Sequence, residues 1–305
     1  MDGFLNVLKP SGPTSHDIVD YIRRLTSVRK VGHTGTLDPG AAGVLVICLG
    51  KATRVIRYLL NDKAYRAEIT FGVTTTTGDS EGEIISCGDA SGLTINELSK
   101  ALQFFQGEIE QLPPMVSAVK YQGRRLYTLA RQGLVVERKP RKVIIYNLQL
   151  IDAYSLGSKT PFACLELSCS AGTYVRTFCT DLGERLGCGA YLSSLLRTRT
   201  GSFVLENSSL PERIADFHRR GCLQEVLVNI NEALAHLPAV AVKSTAVTSV
   251  KSGNRLYSSG FAGSGEHFEP GQLVKLLSGG NLLAVARKQE DMAGRYYFQP
   301  ETVLF

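Results

Sequence analysis

Short stretches of alternating or continuous apolar residues, rich in β-branched side chains, recur at 4–8, 44–49, 65–71, 142–150 and 162–168. A period of two, and apolar runs of this length, predict strands. Between them the period changes. Over 14–28, Ile18, Val19, Ile22 and Leu25 fall on one face of a helix, and Thr14 followed three positions later by Asp17 predicts a capping box at its start. Residues 95–105 and 175–186 predict two more helices. Strands and helices do not alternate regularly, so the expected class is α+β with a mixed, mostly antiparallel sheet.

The texture changes near residue 238. A helical pattern over 226–237 gives way to short β-like pieces at 239–242, 272–277, 282–286 and 296–298, separated by glycines. This predicts a small C-terminal β-barrel, of a size that folds alone only marginally. The expected domains are 1–236 and 237–305.

Composition narrows the function classes. The chain has 305 residues, 44% hydrophobic and 20% charged, with 34 Lys+Arg against 28 Asp+Glu for a net charge of +6. A mild basic excess permits a nucleic-acid partner without requiring one. The longest apolar run, at 44–49, is far shorter than the roughly 20 residues of a membrane helix, and no secretory leader is expected at the N-terminus. Seven scattered cysteines without a Cys-x-x-Cys pattern fit a reducing cytoplasm rather than a disulfide or zinc framework. Neither a Gly-x-Gly-x-x-Gly nor a Gly-x-x-x-x-Gly-Lys-Ser/Thr motif is present, so nucleotide cofactors lack their usual anchors.

Four segments carry groups capable of chemistry. The first, at 32–40, reads Gly-His-Thr-Gly-Thr-Leu-Asp-Pro-Gly, a constrained loop bearing His33 and Asp38. It is either a functional loop or an ordinary Asx-Pro turn with an exposed histidine. In the second, at 168–176, a strand runs into a helix. Arg176 lies early in that helix, where its charge opposes the macrodipole. It is either a surface arginine or one with a buried anionic partner, for which a bidentate pair with Asp38 is a candidate.

The third segment, at 113–142, holds Lys120, Arg124, Arg125, Arg131, Arg138, Lys139, Arg141 and Lys142 against the single acid Glu137, with Tyr121 and Tyr127 interleaved. A one-sign surplus of this size, mixed with aromatics, suits phosphate neutralisation and base stacking. The fourth, Lys63-Ala64-Tyr65-Arg66, opens a strand and by itself reads mainly as packing.

Taken in order along the whole chain, these segments resemble the TruB family of bacterial tRNA pseudouridine synthases, which isomerise uridine 55 in the T arm. The resemblance rests on Lys9-Pro10-Ser11-Gly12-Pro13-Thr14-Ser15, on the Leu37-Asp38-Pro39 loop with Gly43-Val44-Leu45, and on Lys63 to Arg66. Gly172-Thr173-Tyr174-Val175-Arg176 and Leu195-Leu196-Arg197 complete it. Thr36 and Gly40 depart slightly from the pattern and remove no functional group.

The resemblance implies an isomerase with a thumb insertion at about 112–142 and a PUA-like RNA-binding tail. Asp38 would drive glycosidic cleavage and re-attachment through carbon 5. Arg176 would pair with Asp38, and Tyr65 would stack on the target base. Tyr174 and Leu196 would line the pocket, and His33 would fill the space left by the flipped nucleotide. Lys120, Arg124, Arg125, Arg131 and Arg141 would grip the RNA. It implies no metal and no cofactor, because the isomerisation is redox-neutral. It also implies tRNA as partner, a cytoplasmic location, no membrane association, and a monomer without an obligate protein partner.

Overall fold

The computed structural model describes residues 1–117, 119–263 and 265–304. The first strand, β1 (Gly3–Lys9), leads into helix α1 (Ser15–Thr26) and then β2 (Val31–His33), β3 (Ala42–Leu49) and β4 (Lys63–Phe71). A small hairpin, β5 (Val73–Thr75) and β6 (Ile84–Cys87), precedes α2 (Ile95–Gln103) and β7 (Gly107–Gln111). The basic segment contains a two-residue hairpin, β8 (Lys120–Tyr121) and β9 (Arg124–Arg125), and the short helix α3 (Leu126–Ala130). Then come β10 (Arg141–Tyr154), β11 (Phe162–Cys169), α4 (Val175–Arg185), β12 (Ala190–Thr200), β13 (Phe203–Val204), α5 (Pro211–Arg219), β14 (Leu227–Val228) and α6 (Ile230–Ala233).

Among the described residues, ten of these strands form one sheet with the path β14-β1-β3-β12-β4-β11-β10-β7, β2 and β13 pairing beside it. Every pair in it is antiparallel except β12 with β3. The continuous apolar run of β3 has a simple cause: both faces of that strand are buried. Leu45, Ile47 and Leu49 pack with Ile18, Val19 and Ile22 of α1, whereas Val44, Val46 and Cys48 pack with Phe4 and Phe203 on the other side. The capping box at Thr14 and Asp17 forms, and α1 ends at Ser27 in the left-handed region. A second core, around Tyr65, Ala67, Ile69 and Phe71 of β4, is closed by α2 and α4.

Two of the departures from the sequence pattern have a clear physical cause. The helical pattern over 226–237 is broken: Leu227–Val228 instead pair with Phe4 and Leu5 at the sheet edge. Asn229 then caps the short helix α6, its side-chain oxygen accepting the Asn231 N–H at 2.8 Å. The local capping option outcompetes continuation of the helix. The central strand β12 has no clear sequence pattern, because bulges at Leu192/Ser194 and Arg197/Arg199 interrupt its alternation.

The tail supplies β15 (Ala239–Ala241), β16 (Leu256–Tyr257), β17 (Leu273–Ser278), β18 (Asn281–Glu290) and β19 (Tyr296–Val303). They pair in the order β15-β17-β18-β19-β16, and a bridge between Val242 and Phe261 draws the two edges together into a curled, half-closed barrel. This small sheet is joined to the large one. Val285 and Leu304 sit in the same buried cluster as Phe4 and Val46, and the Tyr58 hydroxyl lies 2.9 Å from Thr302 Oγ1. Among the described residues no helix is long and apolar enough to cross a membrane.

Candidate active site

The loop between β2 and β3 carries Asp38, and nearly every turn of its backbone is held by a buried polar side chain. Lys9, fully buried at the end of β1, donates to the carbonyls of Pro10 at 2.9 Å, Pro39 at 3.1 Å and Ala41 at 2.7 Å. The Ser15 hydroxyl both donates to the Leu37 carbonyl and accepts the Leu37 N–H, each at 2.8 Å. Arg197, 1% exposed, donates Nε to Val44 O at 2.7 Å, Nη1 to Thr36 O at 3.0 Å and Nη2 to Gly35 O at 3.1 Å.

Burying two cations would be costly if their protons were unmatched. Here backbone carbonyls take those protons, and the loop gains fixed geometry in exchange. Burial pushes Lys9 down to about 8, while the nearby Asp38 charge works against that shift. Gly43 completes the cradle. With φ at +117°, a Cβ there would lie 2.2 Å from the Arg197 carbonyl, so only glycine permits β3 to run beside β12.

Arg176 is buried in the first turn of α4 and reaches four groups. Its Nε is 3.0 Å from Asp38 Oδ2 and 3.4 Å from Asp79 Oδ2. Its Nη1 donates to Thr77 O at 3.3 Å and its Nη2 to Val116 O at 2.8 Å. The pairing of Arg176 with Asp38 therefore forms, but through one nitrogen rather than a bidentate fork. Two backbone carbonyls occupy the rest of the guanidinium.

Asp79 is not legible as a site residue in the sequence. It stands in the turn between β5 and β6, where it accepts the Thr77 hydroxyl and the Glu81 N–H. Nothing local in Gly78-Asp79-Ser80 tells that this turn folds back onto α4. The two carboxylates differ in access: the Asp38 side chain is 41% exposed and that of Asp79 14%. Of the two, Asp38 is the more accessible.

Asp38, Tyr65, Tyr174, Arg176, Leu195 and Ser117 face a cavity of about 250 Å³. In the β4–β12 register Tyr65 lies opposite Arg197 and Ala67 opposite Leu195. Burial pushes the Tyr65 hydroxyl up to about 12, against the opposing charge of Arg197, so it stays protonated at neutral pH. Tyr174 is fixed by the buried Gln111, whose Oε1 accepts the Tyr174 N–H at 2.9 Å and whose Nε2 donates to its carbonyl at 3.2 Å. Leu195, not the expected Leu196, lines the cavity. Successive strand residues face opposite sides of a sheet, and the face shared with Arg197 is that of residue 195.

His33 closes β2 and is not in the cavity wall. Burial lowers its imidazole, followed by the charges of Arg197, His16 and Arg125, so it is neutral near pH 7. Arg125, the last of these charges, belongs to the basic segment. Lys120, Arg124, Arg125, Arg131 and Arg141 are all exposed. Arg125 and Arg131 flank the Tyr127 ring at 5.8 and 5.6 Å, and Leu126 and Leu129 beneath them are buried. The basic surface thus has its own small apolar footing.

Residues 23–175 match the family described as TruB family pseudouridylate synthase (N terminal domain), and residues 176–235 match the tRNA pseudouridylate synthase B C-terminal domain. The chain is 49% identical to the tRNA pseudouridine synthase B of Pelotomaculum thermopropionicum, covering 100% of this chain and 95% of that one. It is 45% identical to the protein of the same name from Moorella thermoacetica, covering 99% of each. Among solved structures, it is similar to a chain of a Cbf5-Nop10-Gar1 complex, with TM-score 0.74 and 28% identity over 99% of this chain and 84% of that one. It is also similar to a chain of an H/ACA RNP bound to a substrate RNA containing 2′-deoxyuridine, with TM-score 0.73 and 26% identity over 99% and 85%.

Proposed function

The chain belongs to the TruB family of pseudouridylate synthases, and from that membership we infer how its cavity works. It is a tRNA pseudouridine synthase, an isomerase that converts uridine to pseudouridine. We propose uridine 55 in the T arm as its target, and Asp38 as the group that starts the chemistry. The observation that carries this reading is Asp38 itself: an accessible carboxylate on a rigidly held loop, beside a buried arginine, at the wall of a cavity.

A uridine inside a folded loop is shielded by stacking, so it must leave the stack to reach Asp38. Extrusion costs a few kcal/mol, which stacking on an aromatic ring, worth about 1–3 kcal/mol, can offset. Tyr65 and Tyr174 supply rings in the cavity. Asp38 then promotes cleavage of the bond between N1 and the ribose. The freed uracil turns within the cavity and C5 joins the ribose. The C5 proton departs and N1 takes up one, so the product is an isomer and no electrons are exchanged. Tyr65, with its protonated hydroxyl, lies beside the turning ring.

The basic segment serves as the thumb that holds the RNA backbone, with Lys120, Arg124, Arg125, Arg131 and Arg141 against phosphates. Replacing Arg124, Arg125 and Arg131 by Gln should weaken stem-loop binding and flatten its dependence on salt. The slope of log K against log salt should fall by about 0.7–0.9 for each phosphate that is no longer neutralised. A variant whose salt slope equals that of the wild type would remove the thumb from the RNA interface.

This enzyme acts in the cytoplasm as a monomer on free tRNA. The partners in the solved assemblies belong to those proteins, whereas this chain carries its own basic grip. The direct test is tritium release from a T-arm stem-loop labelled at C5 of the target uracil. Release is expected with this stem-loop and not when the label sits in another loop. Tight binding without release would overturn the T-arm assignment.

A further inference from the structure

The base of the basic segment reaches into the cavity through one residue that the proposed chemistry leaves unused. Ser117 is 6% exposed and lines the same cavity as Asp38, Tyr65 and Arg176. Its hydroxyl is buried and makes no hydrogen bond among the described residues. An unpaired buried hydroxyl is unfavourable and uncommon, and one on a residue that lines a cavity has an unused hydrogen bond to offer a ligand.

The backbone around Ser117 is tied down in two directions. Its neighbour Val116 gives its carbonyl to Arg176 Nη2 at 2.8 Å, and the Ser117 carbonyl accepts the Tyr127 N–H at 3.1 Å. Tyr127 is the aromatic residue flanked by Arg125 and Arg131. The stretch of chain that carries Ser117 therefore connects the cationic surface to the arginine that holds Asp38.

We propose that Ser117 is a further substrate-binding residue, whose hydroxyl hydrogen-bonds a polar group of the flipped uridine. The inference rests on the reading of this cavity as a uridine site. The groups on offer are O2, O4 and N3–H of the base and the 2′-hydroxyl of the ribose. Since a hydroxyl donates or accepts, it can follow the uracil as its edges change place during the turn. Because the same backbone is bonded to the short helix that Arg125 and Arg131 flank, seating the segment on RNA and presenting this hydroxyl are one structural event.

The test is Ser117→Ala, measured by single-turnover tritium release, stem-loop affinity and thermal melting. Removing a hydroxyl that has no partner among the described residues should leave melting unchanged or slightly raised. Binding of the stem-loop, dominated by phosphate contacts, should also hold. Turnover should fall about ten- to a hundredfold, the loss expected for one hydrogen bond to a reacting group. A stem-loop with 2′-deoxyuridine at the target assigns the partner: if the variant and wild type then react equally, the partner is the ribose, and if the gap persists, it is the base.

Turnover equal to that of the wild type on the ordinary stem-loop would overturn the proposal. So would equal losses of turnover and melting temperature, which would make the hydroxyl structural. The wild-type reaction serves as the control for the underlying assignment. If wild type releases tritium and Ser117→Ala matches it, only this inference fails; if wild type releases none, the uridine-site reading fails.

Discussion

Asp38→Asn is expected to abolish pseudouridine formation while leaving the fold and the RNA affinity in place. Asparagine has nearly the same shape, but it carries no negative charge and is a poor base and nucleophile. The expected fall in turnover is about 10⁴-fold or more, the upper range for losing a positioned acid–base group or nucleophile. The fold should tolerate the change because Lys9, Ser15 and Arg197 hold this loop by its backbone and not by the Asp38 side chain. Arg176 also keeps Asp79 as a counter-charge. Single-turnover tritium release, thermal melting and stem-loop binding measured together check the prediction. Residual turnover within about tenfold of wild type would transfer the chemistry to another group.

Arg176→Met should have the second largest effect, and on both stability and turnover. The methionine fills much of the space, but Asp38 and Asp79 then face each other without their shared cation, and the carbonyls of Thr77 and Val116 are left without their donors. Breaking a buried pair from one side costs about 3–5 kcal/mol. The low end applies here, since Asp38 is 41% exposed and water can replace part of the interaction. Turnover should fall at least about 100-fold, because the carboxylate no longer has the partner that orients it.

Adding Asp79→Asn to that variant removes one of the two facing charges. Urea melts should recover part of the missing stability while turnover stays low. Recovery of turnover along with stability would show that Arg176 acts only through folding. Arg176→Lys is a useful third chain: a lysine restores one charge but cannot serve two carboxylates and two carbonyls at once.

Much of the architecture can be read from the chain because its causes are local. The Thr14–Asp17 box, the amphipathic face of α1 and the β-branched runs depend on residues a few positions apart. The basic surplus at 113–142 depends only on composition. The tail is legible as β-structure for the same reason. Its attachment is not, because Val285 and Leu304 meet Phe4 and Val46 from the far end of the sequence. That shared core gives the tail a stabilising role whatever RNA it touches, so a deletion of 238–305 would expose apolar surface on the larger sheet.

Linear patterns suffice to pick out the chemistry-bearing groups: an aspartate in a glycine- and proline-rich loop, an arginine opening a helix, a tyrosine opening a strand and a cationic insertion. Tertiary structure alone decided how they work together. Asp79 comes to Arg176 from a hairpin far earlier in the chain, and Lys9 and Arg197 close on the Asp38 loop from opposite ends of the large domain. Leu195 replaced Leu196 at the cavity because the pairing register of β12, interrupted by bulges, sets which face each residue takes. Burying a charge demands a partner, and strand pairing sets the side on which a residue lies. Both are conditions on space, and neighbours in space are what a linear pattern does not record.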